Sequence, residues 1–590
     1  MSQGMDKGRI VAILEEIGLL LELKAENPFK IRAYQNGARA LETMEEPLDQ
    51  VIEEDRLGTV PGIGKALIEK ITTLYETGEL AYYTDLKASV PEGLVGMLEI
   101  PNFGPKKIQK VYQELGIDTM AKLKAACEAG ELAALSGFGK KTEEKILKGM
   151  ENLVAYAARH LWWDVKAVAE PIAAGLRGLE VVEAVEIAGS FRRGRETVGD
   201  LDFIVGSAHP KEVMDWFVSL EAVVEISAKG ETKSSVRFEG GLQADLRVVP
   251  MAQFPFALHH FTGSKEHNVQ MRQRALERGW SMSEWGLFDK EDGTEEKAGG
   301  GGRKLVVEGV RTETDLFRVL DMDFVPPALR EGRGEVDASA KGILPELIEM
   351  KDIRGVFHNH TTASDGRSTI EEMAIEAGKR GWAYFGLADH SKSSFQANGL
   401  SEERLRTQIE TVRKLNASGH LPVHVFAGSE VDILRDGSLD YSDELLNELD
   451  YVVISVHASM TGLSEKEMTD RIIQAMSHPL KVKKMLGHLT GRLLLKREGY
   501  AVDVPTIIEA AVEYGVVIEL NANPHRLDMD WRWWQRAAEA GVLCAINPDA
   551  HAPEHFDFME AGVIAARKGW LRSEMVLNTR GLAGIETFLS

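Results

Sequence analysis

Gly189-Ser190-Phe191-Arg192-Arg193-Gly194-Arg195-Glu196-Thr197-Val198-Gly199-Asp200-Leu201-Asp202-Phe203 is the stretch on which the fold turns. It opens on a glycine turn and closes on two aspartates at the head of an apolar run, Phe203-Ile204-Val205. Residues two apart on a strand point to the same face, so Asp200 and Asp202 project from one side. A third aspartate stands in a second strand-like run, Gln243-Ala244-Asp245-Leu246-Arg247-Val248-Val249. If the two strands pair, three carboxylates converge. That donor set suits Mg²⁺ (or Mn²⁺) and leaves room for substrate phosphates. Two such ions can clamp both the attacking and the leaving oxygen of an in-line phosphoryl transfer.

The rest of the chain bounds what this site can serve. At 590 residues the chain is too long for one core. Its 44% hydrophobic and 27% charged residues are those of a soluble globular protein. A net charge of -23 argues against a phosphate-rich partner. The average hides a basic segment, because residues 101–150 hold nine Lys against six acidic residues. The two cysteines, Cys127 and Cys544, exclude a disulfide framework and point to a reducing cytoplasm. Leu19, Leu20 and Leu21 are flanked by Glu15, Glu16 and Glu22, which reads as an amphipathic helix and not a signal peptide. No apolar run approaches membrane-spanning length, so no membrane partner is expected.

Upstream, one pattern occurs three times: Val60-Pro61-Gly62-Ile63-Gly64-Lys65, Ile100-Pro101-Asn102-Phe103-Gly104-Pro105-Lys106-Lys107, and Leu135-Ser136-Gly137-Phe138-Gly139-Lys140-Lys141. This is an internal repeat. Its glycines let a short hairpin bring backbone close to a ligand, and the following helix N-terminus presents free N–H groups to a phosphate. Each copy alone could be a glycine-ended turn in a helical bundle. Three copies, two followed by paired lysines, favour DNA, and they resemble the helix-hairpin-helix motif, which grips one strand without reading its sequence.

Residues 1–90 read as helical, beginning with an amphipathic helix over 9–24. Residues 165–250 alternate helices with strands such as 181–188 and 201–205. Residues 251–285 read as helical, 286–325 as a small hairpin unit with a four-glycine loop at 299–302, and 326–350 as a charged linker. Beyond 351, apolar strands at 452–456, 516–520 and 543–546 alternate with helices, the signature of a parallel barrel-like domain. That domain opens on His358-Asn359-His360, two imidazoles on one face of a strand end. Asp365, His390, Glu430, His457, His488, Asp549 and His551 follow. Nine ligand-type residues just after strands suit a metal site at the barrel's C-terminal mouth, and the His and carboxylate mixture suits Zn²⁺ or Mn²⁺.

The stretch 189–203 together with His259-His260-Phe261-Thr262-Gly263-Ser264-Lys265-Glu266-His267-Asn268 and Arg272 resembles the X-family DNA polymerases, relatives of DNA polymerase beta. The resemblance covers roughly residues 5–330. It implies that Asp200 and Asp202 bind both metals, while Asp245 binds the catalytic metal and helps deprotonate the primer 3′-hydroxyl. Gly189, Ser190, Arg193 and Gly199 would hold the phosphates of a deoxynucleoside triphosphate, with Phe261 and Gly263 against its sugar. Asn268 would meet the base edge and Arg272 the template. Lys70 falls where a lyase lysine acts on 5′-deoxyribose phosphate, with Lys30 and Tyr34 at its 5′-phosphate. His260 replaces the tyrosine of the beta-type Tyr-Phe-Thr-Gly. Either it loosens exclusion of the ribose 2′-hydroxyl, or it is an ordinary half-buried histidine.

Residues 351–590 resemble the PHP domain (polymerase and histidinol phosphatase). That implies two or three Zn²⁺ or Mn²⁺ ions: one on His358, His360, Glu430 and Asp549, one on Glu430, His457 and His488, one on Asp365, His390 and His551. The expected fold is multidomain α+β and α/β. It divides into a helical domain at 1–90, fingers at 91–160, a nucleotidyltransferase palm at 161–260, a thumb at 261–325, a linker at 326–350 and a distorted (β/α)7-type barrel at 351–590. The expected function is gap-filling DNA polymerase in base excision repair with a 3′→5′ exonuclease, abasic endonuclease or 3′-phosphatase, acting as a cytoplasmic monomer. A DNA-binding repair scaffold and a small-molecule phosphatase are the alternatives.

Overall fold

The structure, a computed structural model, describes residues 5–42, 44, 48–98, 100, 103–157, 159–289 and 309–590, with the backbone alone at 42 and 151–157. The glycine loop at 299–302, and Pro101 and Asn102 of the second hairpin, lie outside the described residues. The chain divides into two compact units, Met1–Ala157 and Ala158–Ser590.

The first unit is helical. Its opening helix, Lys7–Leu23, buries Ile10, Leu14, Ile17 and Leu21 at helical spacing and is capped by Asp6, whose carboxylate accepts from Arg9 N at 3.2 Å. In each hairpin the residue before the glycine that leads into the next helix (Ile63, Phe103, Phe138) is buried in the unit's core. The glycines stay outside. Gly62 and Gly137 adopt φ of +97° and +83°. Gly64 and Gly104 stand at the N-caps of helices Lys65–Thr77 and Pro105–Leu115, and Gly139 directly precedes Lys140–Ala157. A Cβ on Gly64, Gly104 or Gly139 would meet nothing. The hairpin is thus pinned from inside by one apolar side chain, while the glycine that starts the next helix is left open.

In the second unit a five-stranded mixed sheet carries the aspartates, in the order Ala184–Ile187, Asp200–Gly206, Gln243–Val249, Lys233–Phe238, Val223–Lys229. The second and third strands are parallel, with Asp202 paired to Asp245. Phe203, Ile204 and Val205 are fully buried, as a strand covered on both faces requires. Three expectations are corrected. Only residues 184–187 of the 181–188 run form a strand. The helical reading of 251–285 stops early: Phe254–Thr262 and Lys265–Leu276 are helices, but Gly279 at φ +75° turns the chain into a hairpin, Trp280–Ser283 against Gly286–Asp289. The charged stretch 326–350, expected to wrap or tether, is packed down and is no loose tether. Arg330 and Glu335 are fully buried, because Arg330 Nε donates to the Val325 carbonyl at 2.9 Å and Glu335 takes His267 at 2.7 Å.

The C-terminal part has two all-parallel sheets. One holds Gly355–Val356, Tyr384–Gly386 and His424–Phe426; the other holds Glu430–Asp432, Tyr451–Ser455, Lys483–Leu486, Val517–Asn521 and Cys544–Asn547. Single bridges, His390 to Glu430 and Asn359 to Ala550, join them at both ends. Strand 424–426 resumes as 430–432 after a three-residue break, so the ring is consistent with seven strands. Among the described residues no helix is long and apolar enough to cross a membrane.

Candidate active sites

The first site is a polar cavity of about 470 Å³ over the aspartate-bearing sheet. Gly189, Ser190, Arg193, Gly199, Asp200, Asp202, Phe261 and Gly263 all line it. Gly189 has to be glycine: its φ is +64°, and a Cβ would stand 2.7 Å from Asp202 Oδ2. Burial and the neighbouring charges of Asp200 and Asp245 push the Asp202 carboxyl up to about 7. Burial would raise Asp245 as well, but Lys233 at 2.6 Å and the Ser235 hydroxyl, donating at 2.6 Å, hold it below the usual carboxylate range. The three acids do not close into a tight group. Among the described residues, every cluster of three or more ligand atoms within 4.8 Å lies in the C-terminal domain. A set of like charges held apart, with one acid carried by a lysine, fits divalent cations that arrive with substrate.

Arg193 is held at two edges: Nη1 donates to the Thr262 carbonyl at 2.8 Å, and Nε faces Glu331 at 3.0 Å. Arg247 lies over the Phe261 ring at 4.3 Å. Asn268 is turned inward, its Nδ2 donating to the carbonyls of His260 at 2.7 Å and Gly263 at 3.3 Å. His260 is half-buried and packs edge-on to Phe261 at 4.9 Å, and burial lowers its pKa. Arg272 is exposed on Lys265–Leu276. Arg195 and Lys265, which lie in the two quoted stretches without an assigned role, and Arg159 and Glu331, which lie outside them, also line the cavity.

The first unit gathers Lys30, Tyr34 and Lys70 around one residue the sequence reading passed over, Tyr82. Tyr34 stacks on its ring at 6.2 Å, and the ammonium groups of Lys30 and Lys70 stand 5.5 and 5.3 Å from its centre.

The second site is the histidine cluster, and all nine expected residues meet in it. Glu430 is the hub. His488 Nε2 stands 2.8 Å away, His390 Nδ1 3.0 Å, His457 Nε2 3.2 Å, His358 Nε2 3.4 Å and His360 Nε2 3.8 Å. Asp549 lies 3.2 Å from His360 and 3.6 Å from His358. Asp365 lies 3.4 Å from His551, 3.5 Å from His390 and 3.6 Å from His360. Burial would neutralise Glu430, but His457, His358 and His390 hold it well below the usual range. Burial, with His551 and His390 beside it, pushes His360 down to about 4. Outer partners fix the rings: His358 Nδ1 pairs with Glu519 at 2.6 Å, His457 Nδ1 with Asp432 at 2.5 Å, and His551 Nδ1 with the Asp549 carbonyl at 2.9 Å. Against that support, His358 Nε2, both His360 nitrogens and His390 Nδ1 are buried with no hydrogen-bond partner. Buried nitrogens are normally satisfied. Orphaned ones aimed at carboxylates fit metal ions, and the back-bonded tautomers are those of metal ligands.

Comparison with known proteins places these parts. Residues 5–80 match the helix-hairpin-helix domain, 95–151 the SAM-like helix-hairpin-helix tandem, 257–331 the DNA polymerase beta thumb and 357–523 the PHP domain. A beta-type thumb beside the aspartate sheet, hairpins before it and a PHP domain after it define an X-family polymerase of the PHP-bearing kind. DNA polymerase/3′-5′ exonuclease PolX of Bacillus subtilis (strain 168) is 39% identical over 587 residues, 99% of both chains, and the present chain belongs to that PolX family. DNA polymerase lambda of Rattus norvegicus is 27% identical over 318 residues, 50% of this chain and 52% of its own. A probable phosphatase of Thermoanaerobacter sp. (strain X514) is 28% identical over 233 residues, 38% of this chain and 89% of its own.

Proposed function

We propose that the chain is a template-directed DNA polymerase that fills short gaps in repair and carries a metal-dependent 3′→5′ exonuclease in its PHP domain. The observation that carries the first half is the pairing of Asp202 with Asp245 beneath an arginine-rich cavity. Mg²⁺ or Mn²⁺ on Asp200, Asp202 and Asp245 would supply positive charge to the phosphoryl group in transfer. Gly189, Ser190 and Gly199 hold phosphate oxygens, and Arg193 presents its guanidinium edge to them. Phe261 and Gly263 form the wall for the sugar. Asp245, kept ionised by Lys233 and Ser235, is the acceptor for the primer 3′-hydroxyl proton. The hairpins of the first unit grip DNA by backbone amides, and Lys30, Tyr34 and Lys70 around Tyr82 receive a 5′ end.

In the PHP domain His358, His360, Asp365, His390, Glu430, His457, His488, Asp549 and His551 hold two or three Zn²⁺ or Mn²⁺ ions, which would activate water for phosphodiester cleavage. The same chemistry extends to abasic endonuclease and 3′-phosphatase reactions. Primer extension on a one-nucleotide gap tests the first half. Asp202→Ala is expected to lose about 10³-fold, equivalent to ~4 kcal/mol of transition-state stabilisation. Extension equal to wild type would sink the polymerase assignment.

A further inference from the structure

The loop that presents Arg193 and Arg195 does not stand alone. Its far side rests on residues more than a hundred positions away. Glu331, the last residue of the thumb match, has a side chain 8% exposed and takes three cations. Arg193 Nε is 3.0 Å from Oε1, Arg195 Nη1 3.4 Å from Oε2, and Lys568 Nζ 2.6 Å from Oε1. Lys568 closes the PHP-domain helix Met559–Lys568 and is wholly buried. Its remaining protons go to the carbonyls of Arg193 at 3.0 Å and Ala328 at 3.4 Å, and it lies 4.5 Å over the Trp531 ring. An ammonium has three donors, and all three are used. The same helix presses on the loop at Gly194, where φ is +65° and a Cβ would stand 2.1 Å from Ile564 Cγ2. A second bridge, Arg532 to Glu196 at 3.4 Å, flanks it.

This arrangement does specific work on Arg193. Glu331 and the Thr262 carbonyl take Nε and Nη1, so the guanidinium plane is fixed and Nη2 has no protein partner among the described residues. Burial pushes Lys568 down to about 8, so at neutral pH its ammonium still pairs with Glu331 beside Arg193 and Arg195. Burial opposes ionisation of Glu331, yet Lys568 and Arg193 hold it down to about 2, so it remains a carboxylate at any working pH. Nothing in this chemistry needs the PHP domain's metals.

We propose that Glu331, locked by Lys568 and Trp531 of the PHP domain, is the positioning residue that aims Arg193 at the nucleotide's phosphates, so that the PHP domain is a structural part of the polymerase's nucleotide site. The proposal rests on the polymerase reading given above.

The test uses the full-length protein in steady-state gap filling, with primer degradation and thermal midpoint as controls. Glu331→Gln is expected to raise KM for the deoxynucleotide about 10-fold with kcat within about threefold, the pattern of lost substrate binding. Lys568→Met, made in the other domain, is expected to raise the same KM about fivefold. The double variant should match Glu331→Gln alone, because both substitutions remove one device. Glu331→Asp should recover part of the loss. Degradation of a 3′ end should stay at the wild-type rate in all of them. If Lys568→Met does not fold, Lys568→Arg and Glu331→Gln carry the test, Arg keeping the charge and the KM. Unchanged KM in Glu331→Gln, a fall in kcat alone, or additive losses in the double variant would overturn the proposal. Wild-type protein that incorporates no nucleotide would instead retract the polymerase reading itself.

Discussion

The two metal-type sites of this chain are built on opposite plans. The palm has three aspartates on two paired strands, held apart, one kept ionised by Lys233 and one pushed up to about 7 by burial and its like-charged neighbours. The PHP cluster has eight residues packed around the buried hub of Glu430, and three of its six histidines, His358, His457 and His551, are braced from behind by a carboxylate or a carbonyl. In the proposed function the first site would be completed by what binds to it, whereas the second already has its ligand-type side chains gathered. A polymerase site must release pyrophosphate and shift its DNA each cycle, so weak, substrate-assisted metal binding suits it. A cage braced by outer partners favours retention.

The largest expected effect lies at the hub. Glu430→Ala should strip the PHP metals and lower 3′-end degradation by about 10³-fold or more, while gap filling persists. Metal analysis after gel filtration should find about two or three ions per wild-type chain and fewer in the variant. Equal metal content would break the contrast between cage and open site. One step outward, Glu519→Gln, behind His358, should weaken metal retention about 10–100-fold, read by competition with a chelator. No change would show that the outer shell only packs.

On the palm side, Gly189→Ala places a Cβ against Asp202 at a left-handed φ. It should lower extension about 10-fold, without effect on degradation. The smallest effect is a pH slope. Metal-free folded protein keeps the Asp202 proton up to about pH 7, whereas the ordinary aspartate value is 3.8. Between these limits the folded state binds more protons than the unfolded one, so this group's contribution to metal-free stability falls as pH rises toward 7. Mg²⁺ must displace the same proton. Below pH 7 the Mg²⁺ concentration for half-maximal extension should therefore rise up to about tenfold per pH unit, and above it level off. A requirement that stays flat between about pH 6 and 8 would remove the raised pKa that burial and like-charged neighbours give Asp202.

Chemistry written in local spacing was legible before any coordinates. The turn at Gly189, the Asp200/Asp202 pair, the His358/His360 pair and the three hairpins each fit within a few residues, where strand and turn periodicity dictate what faces what. The helical reading of residues 280–285 failed because a single left-handed glycine, Gly279, outweighed the pattern around it. Residues 326–350 read as a linker because they open on Pro326-Pro327 and are rich in charge. Their partners, His267, Arg193 and Lys568, lie far along the chain and leave no mark on the segment itself.

By itself, then, the sequence determined which atoms could do chemistry: three aspartates, nine metal-type ligands, an arginine-bearing loop and three amide-presenting turns. Only the tertiary structure decided which groups stand behind them. Lys233 against Asp245, Glu519 behind His358, Tyr82 among the lysines, and Glu331 with Lys568 behind Arg193 are all pairings between distant segments. The physical reason is that such partners are selected by burial. An ion or imidazole removed from water must find its counterpart in space, and sequence distance places no constraint on where that counterpart comes from.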